Sequence, residues 1–118
     1  MQEEGVEILF GTDAPQVFSV PGFSIHLEIA EMEAAGLTPE EILASATRAV
    51  GAYFKDKDQF GVIAPGMRAD LVLLNGNPLD DLANLENPAG VMARGRWLSR
   101  EAIDAELAEI AARAQAGN

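Results

Sequence analysis

Residues 61–74, with the sequence GVIAPGMRADLVLL, give the clearest indication of the fold. Two apolar runs, Phe60–Ile63 and Ala69–Leu74, lie on either side of a Pro-Gly turn at residues 64–67. Short apolar runs that are bounded by turn residues predict strands. This segment therefore predicts two consecutive strands joined by a tight turn.

The residues that follow this segment continue as sheet and then become helix. A second turn is predicted at Asn75–Pro78. Farther on, the pair Arg94-Gly95 between two apolar runs predicts a hairpin of residues 90–93 and 96–98. A last helix is predicted from Ser99. Its expected buried residues are Ile103, Leu107 and Ile110.

The residues that precede this segment read as one strand followed by two helices. Thr38 as N-cap, with Pro39 and Glu41 after it, predicts a helix that runs to about Phe54. A helix of about ten residues is expected over Ile25–Ala34, apolar on more than one side.

The opening run, Val6–Phe10, reads as a buried strand that ends in the polar turn Gly11-Thr12-Asp13. A buried strand needs neighbours for its backbone hydrogen bonds, and the two helices that follow supply none. The chain is therefore expected to be part of something larger. A boundary is predicted between residues 1–57 and 58–118, where the helices give way to strands.

Composition narrows the function classes. The 118 residues include 19 acids and 8 bases, a formal net charge of −11, which argues against binding nucleic acid or anionic membrane. No apolar run is long enough to span a membrane. The absence of cysteine excludes disulfides and thiolate zinc sites and fits a cytoplasmic location. With one histidine, a single copy cannot build a His-rich metal site.

Two positions could carry chemistry. Asp13 follows the predicted strand, where parallel barrels place catalytic groups, although an aspartate before Pro15 also suits a simple turn. His26 and Glu28 are two residues apart and so do not share a helix face. His26 is either a pocket residue or a helix-start histidine bonded to a nearby carboxylate or carbonyl.

The order of these pieces resembles the C-terminal part of the metal-dependent amidohydrolase superfamily, with the imidazolonepropionase-like branch the most similar. The motifs are ILFGTD at residues 8–13, AGLTPEEIL at 35–43, GVIAPGMRADLV at 61–72 and the hairpin around Gly95. Each is weak alone, but together and in this order they cover roughly residues 6–110.

The resemblance implies a fold and a site. The fold would be α/β: the last strand and helices of a TIM-like barrel, then a small β-sandwich part and a C-terminal helix. Asp13 would be the catalytic base or a ligand of a divalent metal, usually zinc, and His26 would line the substrate pocket. The family's other metal ligands lie upstream of the matched part, so this chain is expected to hold one ligand and to bind no metal alone.

The expected function is that of a hydrolase acting on an amide or cyclic amide C–N bond, with weak or no activity from the isolated chain. Two alternatives stay open. One is a non-catalytic oligomeric interaction module; the other is a new metal site between copies, built from Asp13, His26 and Glu28. The expected partners are further copies of the chain or the remainder of the barrel, and a small amide substrate if the chain is active.

Overall fold

A computed structural model describes residues 7–17 and 19–117. The fold is α/β, with three helices in the first half and, in the second half, a small antiparallel sheet followed by a fourth helix. The elements are α1 (Ile25–Ala34), α2 (Pro39–Ala46), α3 (Arg48–Tyr53), β1 (Leu71–Leu73), a 3₁₀ turn (Leu82–Leu85), β2 (Gly90–Ala93), β3 (Arg96–Ser99) and α4 (Arg100–Ala116). None of the described helices combines the length and apolarity needed to cross a membrane.

The predicted opening strand does not form in the described residues. Residues 7–10 have no strand pairing, Leu9 is 39% exposed, and Val6 lies outside the described residues. The one backbone hydrogen bond between described residues of this segment and the helices is donated by the Phe10 N–H to the Ser45 carbonyl, at 3.2 Å. A strand forms only beside another strand, and none of the described residues lies alongside this segment as one.

The helical half differs from the prediction in two ways. The single helix expected after Thr38 is broken at Thr47, whose backbone (φ −127°, ψ −87°) leaves the helical region between α2 and α3. No residue of α1 is buried, so its apolar sides are not enclosed between layers. The capping box is confirmed: Thr38 accepts from the Glu41 N–H, and Glu41 accepts from the Thr38 N–H at 2.8 Å.

The sheet has the order β1-β2-β3, all antiparallel. In its register, Leu71 lies opposite Met92 and Met92 lies opposite Trp97. The Arg94-Gly95 hairpin is confirmed, and both residues have positive φ (50° and 80°), as a two-residue hairpin turn with the right twist requires. The predicted strand at Phe60–Ile63 is wrong, since these residues form a bend with no ladder partner.

Close backbone contacts attach that bend to the helices. A methyl group at Gly51 in α3 would lie 2.1 Å from the Phe60 carbonyl oxygen, and one at Gly61 would lie 2.5 Å from the Thr47 carbonyl oxygen. Only glycine permits backbones to approach this closely. The described core is small, with Ile42, Ala49 and Leu82 as its buried apolar residues.

The final helix begins where the sequence predicts, but fewer of its apolar side chains are buried than expected. The Ser99 side chain accepts from the Ala102 N–H at 3.2 Å and caps α4. The expectation that α4 buries Leu107 and Ile110 is wrong, because they are 40% and 54% exposed, while Ile103 is half-buried. The helix contacts β2 and β3, which lie beside its N-terminal end.

Candidate functional site

Asp13 lies in the loop that leads from residue 11 to α1. It is solvent-exposed, has a left-handed backbone (φ 51°), and its carboxylate accepts a hydrogen bond from the Gln16 side-chain amide. The Thr12 hydroxyl accepts from the Ala14 N–H at 3.3 Å. All these partners are within three residues, so in the described part of the chain the carboxylate is held by local contacts. An exposed carboxylate of this kind has the chemistry of a cation ligand or a hydrogen-bond acceptor.

His26 is the second residue of α1 and is half-buried. Its backbone N–H donates to the Phe23 carbonyl at 3.3 Å. Within the described part of the chain, its imidazole has no hydrogen bond or ion pair, so the expected bond to a nearby carboxylate or carbonyl is not formed. The imidazole is therefore not committed to a structural role by any described polar contact.

The turn that positions His26 depends on a residue without a clear sequence signal. Ser24 is buried, and its hydroxyl accepts from the Val20 N–H at 2.7 Å while its own N–H donates to the Val20 carbonyl at 3.0 Å. This pair of bonds closes the turn immediately before α1. A serine followed by a helix would have suggested an N-cap, but its side chain faces back to the preceding turn.

Two adjacent clefts lie between residues 7–11 and the helices. The larger has a volume of about 280 Å³ and includes Glu28, Glu31 and Met32 in its lining. The smaller, about 190 Å³, includes Glu41 and Arg48. Ile8 and Leu37 line both. Neither lining includes Asp13 or His26, so the structure does not gather Asp13, His26 and Glu28 in one described cavity.

The described residues do not fit a metal site. Among residues 7–17 and 19–117, no three His, Cys, Asp or Glu side chains lie close enough together to hold an ion. Catalytic zinc takes three protein ligands and structural zinc takes four. Asp13 could therefore supply one ligand and no complete centre. A site shared between copies stays a prediction that metal content per chain would test.

Outside the Asp13 loop and the two clefts, ion pairs and hydrogen bonds join a set of residues that we call the Arg68 cluster. Its members are Asp58, Phe60, Arg68, Asp70 and the backbone of Arg94. The Arg68 guanidinium pairs with the Asp58 and Asp70 carboxylates, with 2.5 Å from Nε to Asp70 Oδ2, and lies 4.6 Å from the centre of the Phe60 ring. The second Asp70 oxygen accepts from the Arg94 N–H at 2.6 Å. Asp70 thus joins the segment of residues 61–74 to the hairpin turn.

These bonds favour the charged forms of both side chains. Two hydrogen bonds to the Asp70 carboxylate lower its pKa below the ordinary value. The larger effect comes from the Arg94 backbone N–H and the next from the Arg68 side chain. The hydrogen bond that the Arg68 guanidinium donates to the Asp70 carboxylate raises the pKa of Arg68. Neither residue was a candidate from the sequence, although Asp70 is the aspartate of the ADLV motif at residues 69–72. The cluster joins segments of the fold and lines neither cleft.

The fold and the ADLV motif at residues 69–72 define the class of protein. The model of the amidohydrolase family matches residues 1–98, and the chain belongs to that family. An imidazolonepropionase from Cutibacterium acnes (strain DSM 16379 / KPA171202) is 41% identical over 76 residues, which are 61% of this chain and 18% of that protein.

Solved structures agree with this assignment. The chain is similar to a putative prolidase from Bifidobacterium longum with a TM-score of 0.73 and 39% identity, over 82% of this chain and 24% of that one. It is also similar to a Xaa-Pro dipeptidase with bound methionine in its active site, with a TM-score of 0.69 and 31% identity, over 83% and 23% of the two chains. The chain thus spans about a quarter or less of these relatives.

Proposed function

We propose that this chain is part of a hydrolase that cleaves a C–N bond in an amide or cyclic amide. The observation that carries the proposal is the family match over residues 1–98. Two of the similar solved proteins are named as a prolidase and a dipeptidase, which are names for peptide-bond hydrolases. The absence of cysteine favours a cytoplasmic location for this activity, and imaging of the tagged protein would test it.

Within this proposal Asp13 is the residue that accepts the proton, and His26 lines the substrate pocket. Asp13 has the required chemistry because its carboxylate is exposed and, among the described residues, is held only by Gln16. His26 has an imidazole that no described polar partner occupies. Members of the family typically use a divalent metal. The described residues do not form a metal centre. Within this proposal, the further metal ligands come from residues outside the described ranges or from another chain.

The test is turnover of a panel of amides, dipeptides and cyclic amides, with zinc or manganese added. The chain is assayed alone and after co-expression with the upstream part of the Cutibacterium acnes imidazolonepropionase. We expect weak or no turnover from the chain alone and a clear gain on co-expression. Asp13→Asn should lower that turnover by roughly 10²–10⁴-fold, the usual contribution of a general base.

The matched control is Asp80→Asn, which makes the same chemical change at an exposed loop position far along the chain. It should leave turnover unchanged. His26→Ala should raise KM more than it lowers kcat if the imidazole lines the pocket. Robust turnover that survives Asp13→Asn would show that another residue is the base and would overturn the assignment.

One observation favours a second candidate, a non-catalytic interaction module. The accessible surface is 8765 Å², whereas a compact monomer of 12.5 kDa exposes about 6,200 Å². The radius of gyration is 16.0 Å, against about 13.5 Å for a compact chain of 118 residues. Surface in such excess is typical of a polypeptide that packs against further polypeptide, which for this candidate is a separate partner. No turnover with any co-expressed upstream segment, together with a stable assembly, would favour this candidate over the hydrolase.

A further inference from the structure

The final helix extends beyond the part of the chain that the family match explains. The match ends at residue 98, and α4 runs from Arg100 to Ala116, about 25 Å at 1.5 Å per residue. Only its first turns are shielded: Ala102 and Ile103 are half-buried beside the sheet, and every described residue from 104 to 117 is exposed.

An apolar stripe with a regular spacing begins in the shielded first turns and continues along the exposed part. Its members are Ile103, Leu107, Ile110 and Ala114, separated by four, three and four residues. Alternation of three and four residues is the spacing of a two-helix seam, in which each side chain packs between side chains of the facing helix. In the described structure Leu107 is 40% and Ile110 54% exposed, so no described element of the protein covers the seam at these two residues.

We propose that α4 pairs in antiparallel orientation with α4 of a second copy of this chain. In the register that places Leu107 beside Ile110 of the second copy, the two-fold axis also places Ile103 beside Ala114. Large residues then face large residues at the centre and a large one faces a small one at each end. The same surface is used by both copies, as in most two-fold dimers.

Charge complementarity selects the antiparallel orientation. Glu106 and Arg113 both flank the seam and are seven residues apart. In the register above, the antiparallel arrangement brings each Glu106 opposite Arg113 of the second copy, which gives two symmetric ion pairs. A parallel pair would place Glu106 opposite Ala111 and form none of them.

Arg113 is available for this contact. Its guanidinium is 3.8 Å from the Glu109 carboxylate, and both side chains are about 70% exposed, so this pair holds Arg113 only weakly. The helix has two arginines and four acids. Its share of the net charge of −11 is therefore small, and repulsion between two copies of α4 is limited.

The test is sedimentation velocity of the full chain across the micromolar range, with charge-reversal variants. Glu106→Arg alone and Arg113→Glu alone should each weaken the dimer by roughly tenfold or more, because each creates two like-charge contacts. The double variant Glu106→Arg/Arg113→Glu should restore the affinity. An equimolar mixture of the two single variants should form a heterodimer more tightly than either variant associates alone.

Two controls keep the result interpretable. Glu109→Arg makes the same change three residues away on the outer side of α4, and it should affect association much less than Glu106→Arg. Circular dichroism should show equal helix content in all variants. Ile110→Gln, which removes an apolar side chain from the seam without reversing a charge, should also abolish the dimer.

A chain that stays monomeric throughout this range would overturn the proposal. So would a dimer whose affinity is unchanged in Glu106→Arg and Arg113→Glu, since that result would assign association to another surface. These measurements need no turnover, so they fail or succeed independently of the hydrolase proposal.

Discussion

Two residues of this protein share an uncommon backbone conformation and are held in opposite ways. Asp13 has φ 51° and Arg94 has φ 50°, both in the left-handed region that disfavours most side chains. The Arg94 N–H donates to the Asp70 carboxylate, 24 residues away, inside the Arg68 cluster. Within residues 7–17 and 19–117, the Asp13 side chain is hydrogen-bonded only to Gln16, three residues away.

Arg94 thus takes part in a contact between distant segments of the fold, whereas Asp13 is exposed to solvent in a loop with local contacts. In the Arg68 cluster, polar groups from three segments of the protein satisfy one another, so a change at one is felt by the others. The Asp13 loop depends on its own sequence, so a change there should leave the rest of the fold intact. Stability measurements on paired variants can test this contrast.

The largest expected effect concerns the attachment of the Arg68 cluster to the helices. Gly51→Ala should destabilise the fold by about 1–3 kcal/mol, because the new methyl group would lie 2.1 Å from the Phe60 carbonyl oxygen. In an unobstructed helix the same change would stabilise by up to about 1 kcal/mol, so the sign of the effect is diagnostic.

Urea denaturation measures this free energy of unfolding. The control is Gly11→Ala in the Asp13 loop, where a methyl group would meet no atom within 4 Å. Its effect should be within about 0.5 kcal/mol. Equal stability of Gly51→Ala and the wild type would show that Phe60 is not held against α3.

A smaller effect should depend on pH. The pKa of Asp70 is lowered in the folded protein, so its carboxylate stabilises the fold at neutral pH. This contribution is present above the ordinary aspartate pKa of about 3.9 and is lost as the pH falls through the lower folded value. Asp70→Asn should lower the melting temperature at pH 7, and the difference from wild type should disappear in strong acid.

Thermal melts followed by circular dichroism across this pH range would measure the difference. Asp80→Asn serves as the matched exposed aspartate and should show no such pH-dependent difference. A constant difference between Asp70→Asn and wild type at every pH would mean that charge is not what Asp70 contributes.

The smallest effect should be a gain. Arg94→Asn should stabilise the protein by about 0.5–1 kcal/mol, because Asn-Gly is favoured in a hairpin turn with two positive φ values. The backbone N–H that Asp70 accepts is retained. Asp13→Asn, at the same φ but without a long-range contact, should change stability by less than about 0.5 kcal/mol. Chemical denaturation of both variants would compare them, and a loss of stability in Arg94→Asn would show that its guanidinium matters more than its backbone.

Local signals explain what could be predicted. The capping box at Thr38, the cap at Ser99 and the Arg94-Gly95 hairpin are confirmed, because each depends on residues within a few positions of one another. The predicted strands at residues 7–10 and 60–63 are wrong in the described part of the protein. Apolar runs show that a segment prefers burial, but a strand also needs a partner that lies elsewhere in the sequence.

The candidate site follows the same rule. Asp13 and His26 were recognisable by residue type and by order along the sequence, and family membership is established. Whether they share a cavity depends on how the loop of residues 11–24 folds onto α1, and in the described residues they line neither cleft. The Arg68 cluster went unpredicted because an ion pair between residues 10 positions apart and a backbone N–H hydrogen bond between residues 24 positions apart leave no periodic pattern.

The amino-acid sequence was sufficient for the α/β class, the order of the helices and the hairpin, the caps of α2 and α4, and the family. These properties follow from neighbouring residues and from motif order. Three others emerge only in the folded molecule: Gly51 must accommodate the Phe60 carbonyl, Asp70 holds the hairpin turn, and the stripe on α4 stays exposed. The reason is that burial and long-range hydrogen bonds depend on which segments meet, and local preference does not determine that.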